Sequence, residues 1–216
     1  MLYILIRVFV GVMSVVYRLL YNVTFEGIDN IPEKGPFIVS SNEIGKMGNM
    51  LISFVVSKLV LGGLMEQPVG FLDEYSLTTQ YGALFRRFGT QPLFPHGRGQ
   101  AAAGLLRALH TLREGKSVAM NPEAQISWDG RLVPLTRGVA WLALRSGAPI
   151  VLILATKGAY DVWPAWADRP QLTGRFRVRI GEPIYLGDGP CARLTTEMID
   201  LANHRLAQEM VDLIYH

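Results

Sequence analysis

Cysteine is almost absent from this 216-residue chain: Cys191 stands alone. No internal disulfide can form, so nothing calls for an oxidising compartment. Histidine is scarce as well, with four in the chain, and no Cys/His spacing has the form of a zinc site. A metal-free, cytosol-facing protein is expected. Only 18% of the residues are charged, and 21 basic against 18 acidic residues leave a net charge of +3 without any Lys/Arg block. Such a distribution argues against nucleic acid as a partner. There is no internal repeat and no low-complexity stretch. What the chain has instead is apolar surface: half its residues are hydrophobic and the mean hydropathy is +0.23. That is too apolar for disorder and points to a membrane contact, while the length suits one domain.

Residues Met1 to Asn22 contain no acidic side chain and only two cations, Arg7 and Arg18. On a helix, Tyr3, Arg7, Gly11, Ser14, Arg18 and Asn22 form one narrow polar stripe, and the remaining face is wider than a soluble core requires. Three readings compete. A cleaved signal peptide lacks its basic start and small-residue cleavage site. A spanning helix has the length but must place Arg7 in the bilayer. A helix lying in the interface satisfies both arginines. The chain is thus divided into an anchoring helix, residues 1–22, and an α/β domain, residues 23–216, held monotopically or by a single helix on the cytoplasmic face of a membrane.

Strands are expected at Val23 to Ile28, Phe37 to Ser41, Thr90 to Phe94, Ser117 to Met120, Pro149 to Thr156 and Arg175 to Ile180. Helices are expected from Asn49 to Leu61, Gly82 to Phe88, Gly99 to Glu114, Thr136 to Ser146 and Thr195 onward. In the Gly99 helix Ala102, Leu105, Leu106, Leu109 and Leu112 supply the apolar face, and Gly115 stops it. Alternating strands and helices argue for an α/β fold with a mostly parallel central sheet flanked by helices.

Four blocks in order carry a resemblance. They are Gly27-Ile28-Asp29-Asn30-Ile31-Pro32 leading to Phe37-Ile38-Val39-Ser40-Ser41-Asn42; Gly115-Lys116-Ser117-Val118 with Asn121-Pro122-Glu123; Asp129-Gly130-Arg131-Leu132 with Arg137-Gly138; and Ser146-Gly147-Ala148-Pro149-Ile150-Val151. Over roughly residues 23 to 160 the chain resembles the glycerolipid acyltransferases, the lysophosphatidic acid (PlsC-like) family. The resemblance implies an α/β domain on a lipid-embedded N-terminal anchor. It also implies transfer of a fatty acyl chain from acyl-coenzyme A or acyl-carrier protein, as co-substrate, to the hydroxyl of a membrane lipid, with no resident cofactor.

In that family the asparagine is followed by a histidine, four residues and an aspartate; the histidine is the base and the aspartate orients it. Here Asn42 is followed by Glu43 and, at the aspartate position, Gly48. The family's Phe-Pro-Glu-Gly-Thr-Arg reads Asn121-Pro122-Glu123-Ala124-Gln125-Ile126, with isoleucine replacing the phosphate-gripping arginine. Glu43 becomes the candidate base, with His96 as the fallback. Glu43 alternatively charges the first turn of the following helix. Asn42, Lys46, Arg98, Pro122, Glu123 and Gln125 are the candidate substrate-binding residues, expected to converge with Glu43 on one cleft at the strand ends. The missing base leaves a second reading, a silent relative that binds lipid or acyl thioester. A weaker rival is a dinucleotide fingerprint at Gly97-Arg98-Gly99-Gln100-Ala101-Ala102, with Glu123 as ribose carboxylate.

Overall fold

The computed structural model describes residues 20–33, 35–45, 68–73, 86, 90–93, 98–123, 125–156 and 158–216, with the backbone alone for 72–73 and 98–101. Among them, seven strands form one sheet. From edge to edge they are β1 (Tyr21–Glu26), β7 (Gly174–Ile180), β6 (Ile150–Ala155), β2 (Ile38–Ser40), β5 (Val118–Ala119), β3 (Val69–Asp73) and β4 (Gln91–Leu93). Every pairing is parallel except that of β6 with β7, as the alternation of strands and helices requires. Pro92, which has no N–H to give a ladder, sits in the edge strand β4, where its loss matters least.

The strand β6, Ile-Val-Leu-Ile-Leu-Ala, is buried along its whole length because both faces of the sheet are covered. Its period of two feeds two cores. Ile150, Leu152 and Leu154 join one, with Leu109 and Leu112 of α1 (Arg98–Arg113), Leu142 of α2 (Gly138–Ser146) and Leu206 and Met210 of the C-terminal helix (Thr196–Tyr215). Val151, Ile153 and Ala155 join the other, with Tyr21, Phe37, Phe176 and Val162 of the short helix α3 (Ala159–Val162). The C-terminal helix is α4; Thr195 caps it, accepting the Met198 N–H at 3.3 Å, and Ala202, Leu206 and Met210 bury one face.

The structure corrects two expectations. The sheet begins at Tyr21, so Tyr21 and Asn22 belong to β1 and not to the N-terminal helix. The Tyr21 ring is buried against Phe176 and its hydroxyl donates to the Gln171 carbonyl at 2.6 Å, which ties the strand down. On α1 the inward stripe is Leu105, Ala108, Leu109 and Leu112, while Leu106 is exposed and so is Ala102. Adjacent residues lie 100° apart on a helix, so Leu105 and Leu106 cannot both face the sheet. The strand β3 and the helix α3 were legible in no periodic pattern. The expected helix Asn49 to Leu61, all of Gly82 to Phe88 but the exposed Arg86, and residues 1–19 lie outside the described residues. Among the described residues, no helix is long and apolar enough to cross a membrane.

Candidate active site

A parallel sheet gathers its loops at the carboxyl ends of its strands, and there the first two motif blocks meet. Past the end of β2, Ser41, Asn42 and Glu43 run alongside Asn121, Pro122 and Glu123 past the end of β5. All but Asn121 are buried. Burying polar groups is tolerable only when they are hydrogen-bonded, and the bonds here are dense.

Two chains of bonds can be followed. The Ser41 hydroxyl donates to Asn121 Oδ1 at 2.6 Å, and Asn121 Nδ2 donates to Glu43 Oε1 at 3.0 Å. The Glu43 N–H donates to Glu123 Oε1 at 2.7 Å, while Glu123 Oε2 accepts the Val133 N–H at 2.9 Å. The Glu43 carbonyl accepts the Ser127 N–H at 2.8 Å. Glu43 is therefore fixed from both its backbone and its side chain. Two residues on, Gly45 has φ +65, and an added Cβ would lie 2.5 Å from the Trp163 carbonyl oxygen. Only glycine fits that turn.

Burial pushes the Glu123 carboxyl up to about 7, against the two backbone N–H groups that favour its charged form; the nearby Glu43 adds to the rise. Asn42 does different work. Its amide donates to the Ala155 carbonyl at 2.7 Å and its Oδ1 accepts the Ala155 N–H at 2.9 Å, so the side chain stitches the end of β2 to the end of β6.

The structure thus brings together Asn42, Glu43, Pro122 and Glu123, though not as walls of an open cleft. Asn42 holds Ala155, the Pro122 carbonyl accepts both the N–H and the hydroxyl of Thr136, and Glu123 holds two loops. These bonds hold all three in place. Among the described residues, the space that Asn42 and Glu123 line with Ser127 and Leu132 is about 10 Å³, room for a water-sized group and not for an acyl chain. Gln125 is exposed. Lys46 and His96 lie outside the described residues, as does the loop before α1; Arg98 is the first residue of that helix. With both Glu123 oxygens bonded to backbone, the ribose-carboxylate role of the dinucleotide reading has no support. A cleft of about 760 Å³ on the far side, between residues 186–191 and α4, contains none of the expected site residues.

Sequence reasoning missed Asn121 as a partner of Glu43. The signal was there: in the motifs quoted above, the histidine position became an acid and the phenylalanine position became an amide. Two departures from the same pattern sit 3.0 Å apart.

Comparison with known proteins agrees with this geometry. Residues 22–154 match the family described as Acyltransferase. Over 106 residues the chain is 33% identical to the chloroplastic 1-acyl-sn-glycerol-3-phosphate acyltransferase BAT2 of Brassica napus; the match covers 49% of this chain and 29% of that protein. The crystal structure of the 1-acyl-sn-glycerophosphate acyltransferase PlsC from Thermotoga maritima superposes with a TM-score of 0.63 over 89% of this chain and 71% of that one, at 21% identity, a likeness of fold. With more than half its length matched to one family and its two most telling motif blocks joined at the strand ends, the chain belongs to the acyltransferase family.

Proposed function

We propose that this protein transfers a fatty acyl chain from an acyl thioester to a lipid hydroxyl at a membrane surface, with Glu43 as the base. The observation that carries the reading is the Asn121–Glu43 hydrogen bond: the residue at the base position is a buried carboxylate oriented by a neighbour. In the step, Glu43 takes the proton of the acceptor hydroxyl as its oxygen attacks the thioester carbon. The C–O bond forms, the C–S bond breaks, and the proton passes from Glu43 to the leaving thiolate. Acyl-coenzyme A or acyl-carrier protein is the co-substrate, and the step calls for no cofactor. Arg98, Lys46 and the exposed Gln125 are the proposed contacts to substrate, and His96 is the fallback base. The Brassica protein is named for a phosphate-bearing acceptor; here Ile126 stands where the family's motif has arginine, so we assign an acceptor held by other means than that grip.

Glu43→Gln keeps the shape and removes the base. A general base contributes roughly 10²–10⁴-fold, and kcat for acyl transfer should fall by that much while thioester binding persists. Transfer undiminished in that variant moves the role to His96. The replacement of the family's histidine and aspartate by Glu43 and Gly48 favours one second reading, a silent relative that binds acyl thioester. Binding of acyl-coenzyme A without turnover on any lipid acceptor would establish it.

A further inference from the structure

On the side of the sheet where Asn42 and Glu43 lie, four large apolar side chains face solvent: Ile126, Trp128, Trp166 and Leu172 are 47%, 69%, 65% and 74% exposed. Scattered exposed apolar residues need no explanation. These are joined. The Ser127 N–H bonded to the Glu43 carbonyl sets Ile126 and Trp128 beside the end of β2. Tyr160 of α3 donates its hydroxyl to the Trp128 carbonyl and packs on Gly130. At the end of α3, the Val162 carbonyl accepts the Gln171 N–H at 2.7 Å, next to Leu172, and the Gln171 carbonyl accepts the Tyr21 hydroxyl. Trp166 rides on the intervening loop, which the Trp163 indole closes by donating to the Ala167 carbonyl at 2.9 Å. One continuous shelf runs from the end of β2 to the start of β1.

The chain also enters the sheet at this shelf. Tyr21 pairs with Gly174 and Ala155 with Val178, so along β7 Tyr21 stands four residues beyond Ala155, about 13 Å at strand rise. That is the side on which Asn42 grips Ala155. In sequence, residues 1–19, whose charged side chains are Arg7 and Arg18, directly precede this entry point.

We infer that the shelf is a lipid contact in its own right: Ile126, Trp128, Trp166 and Leu172 lie in the interfacial zone of a bilayer, with the Glu43 strand end turned toward the membrane. Tryptophan suits that zone, having an apolar body and one polar N–H. Among the described residues of the shelf the exposed charges balance, Arg131, Arg169 and Arg175 against Asp129, Asp161 and Asp168. The contact is therefore apolar, and it needs no anionic headgroup. Its catalytic meaning rests on the acyltransferase reading above; the contact itself does not.

The test uses the full chain with phosphatidylcholine vesicles whose acyl chains are brominated, which quench nearby tryptophans. Of the four tryptophans, Trp141 and Trp163 pack against the two cores. Quenching should persist in a W141F/W163F variant and be largely lost in W128F/W166F. Adding anionic lipid or salt should change neither result. Equal quenching in both variants, or none in either, overturns the contact and leaves a protein partner as the occupant of the shelf. Acyl transfer is read separately: quenching with no transfer overturns only the catalytic assignment, and transfer in detergent with no quenching overturns only the shelf.

Discussion

Glu123 and Glu114 carry the same side chain and lie nine residues apart, yet their carboxyls move in opposite directions. Glu123 is sealed at the strand ends and is pushed up to about 7 by burial. Glu114 is exposed just past α1, where Lys116 at 2.9 Å, chiefly, and His110 at 3.1 Å hold it below its ordinary value. Glu123 has as its direct partners two backbone N–H groups, and these do not offset what it loses by leaving water. A carboxylate kept dry at the strand ends costs stability when it ionises. One at the surface meets opposite charge and water, and changes little.

The sharpest break of this contrast is Glu123→Ala. It removes the acceptor of the Glu43 and Val133 N–H groups, each worth about 1–3 kcal/mol when left unpaired in the interior. Measured by urea denaturation at pH 5, where the wild-type carboxyl is neutral, the loss should reach about 2–6 kcal/mol. A change below half a kcal/mol would mean that water replaces the carboxyl and that the strand ends are open.

A smaller effect follows from pH alone. The folded Glu123 binds its proton more tightly than the unfolded chain does, so the stabilisation is fully present below about pH 4.5 and is lost as pH rises to about 7. The loss attributable to this group is of order 3 kcal/mol, from a shift of that size at about 1.4 kcal/mol per pH unit. Glu123→Gln keeps one acceptor oxygen and has no proton to lose. It should be less stable than wild type at pH 5 and show a flatter pH profile between 4.5 and 7. The same slope in both proteins would assign the titration elsewhere.

Much of the fold was legible because it rests on periodicity. The unbroken β6 run, the alternation of Phe176, Val178 and Ile180 with arginines on β7, and the Ala202–Leu206–Met210 stripe each announce an element and its buried face. The strand β3 has Gly70 in a five-residue stretch and no alternation, so only its pairing with β4 and β5 defines it. For the site, motif order placed Asn42, Glu43 and Glu123 in one neighbourhood, because loops at strand ends converge whatever their separation in sequence. Their roles were not legible. Whether an amide binds substrate or stitches strands, as Asn42 does at Ala155, depends on which backbone groups the sheet leaves unpaired, and that is known only once the strands are in register.

The other half of the contrast predicts almost nothing, and that is its test. Glu114 directly follows α1, where the exposed carbonyls of the helix end disfavour an acid. Lys116 and His110 offset this, but His110 and Lys116 are 75% and 61% exposed, so water and salt screen both pairs. Glu114→Gln removes the unfavourable helix-end charge together with the two favourable pairs. The denaturation midpoint should stay within error of wild type, in low salt and in high. A clear loss at low salt that disappears at high salt would show that the Glu114–Lys116 pair contributes to stability, and the line between sealed and exposed carboxylates would then have to be drawn elsewhere in this fold.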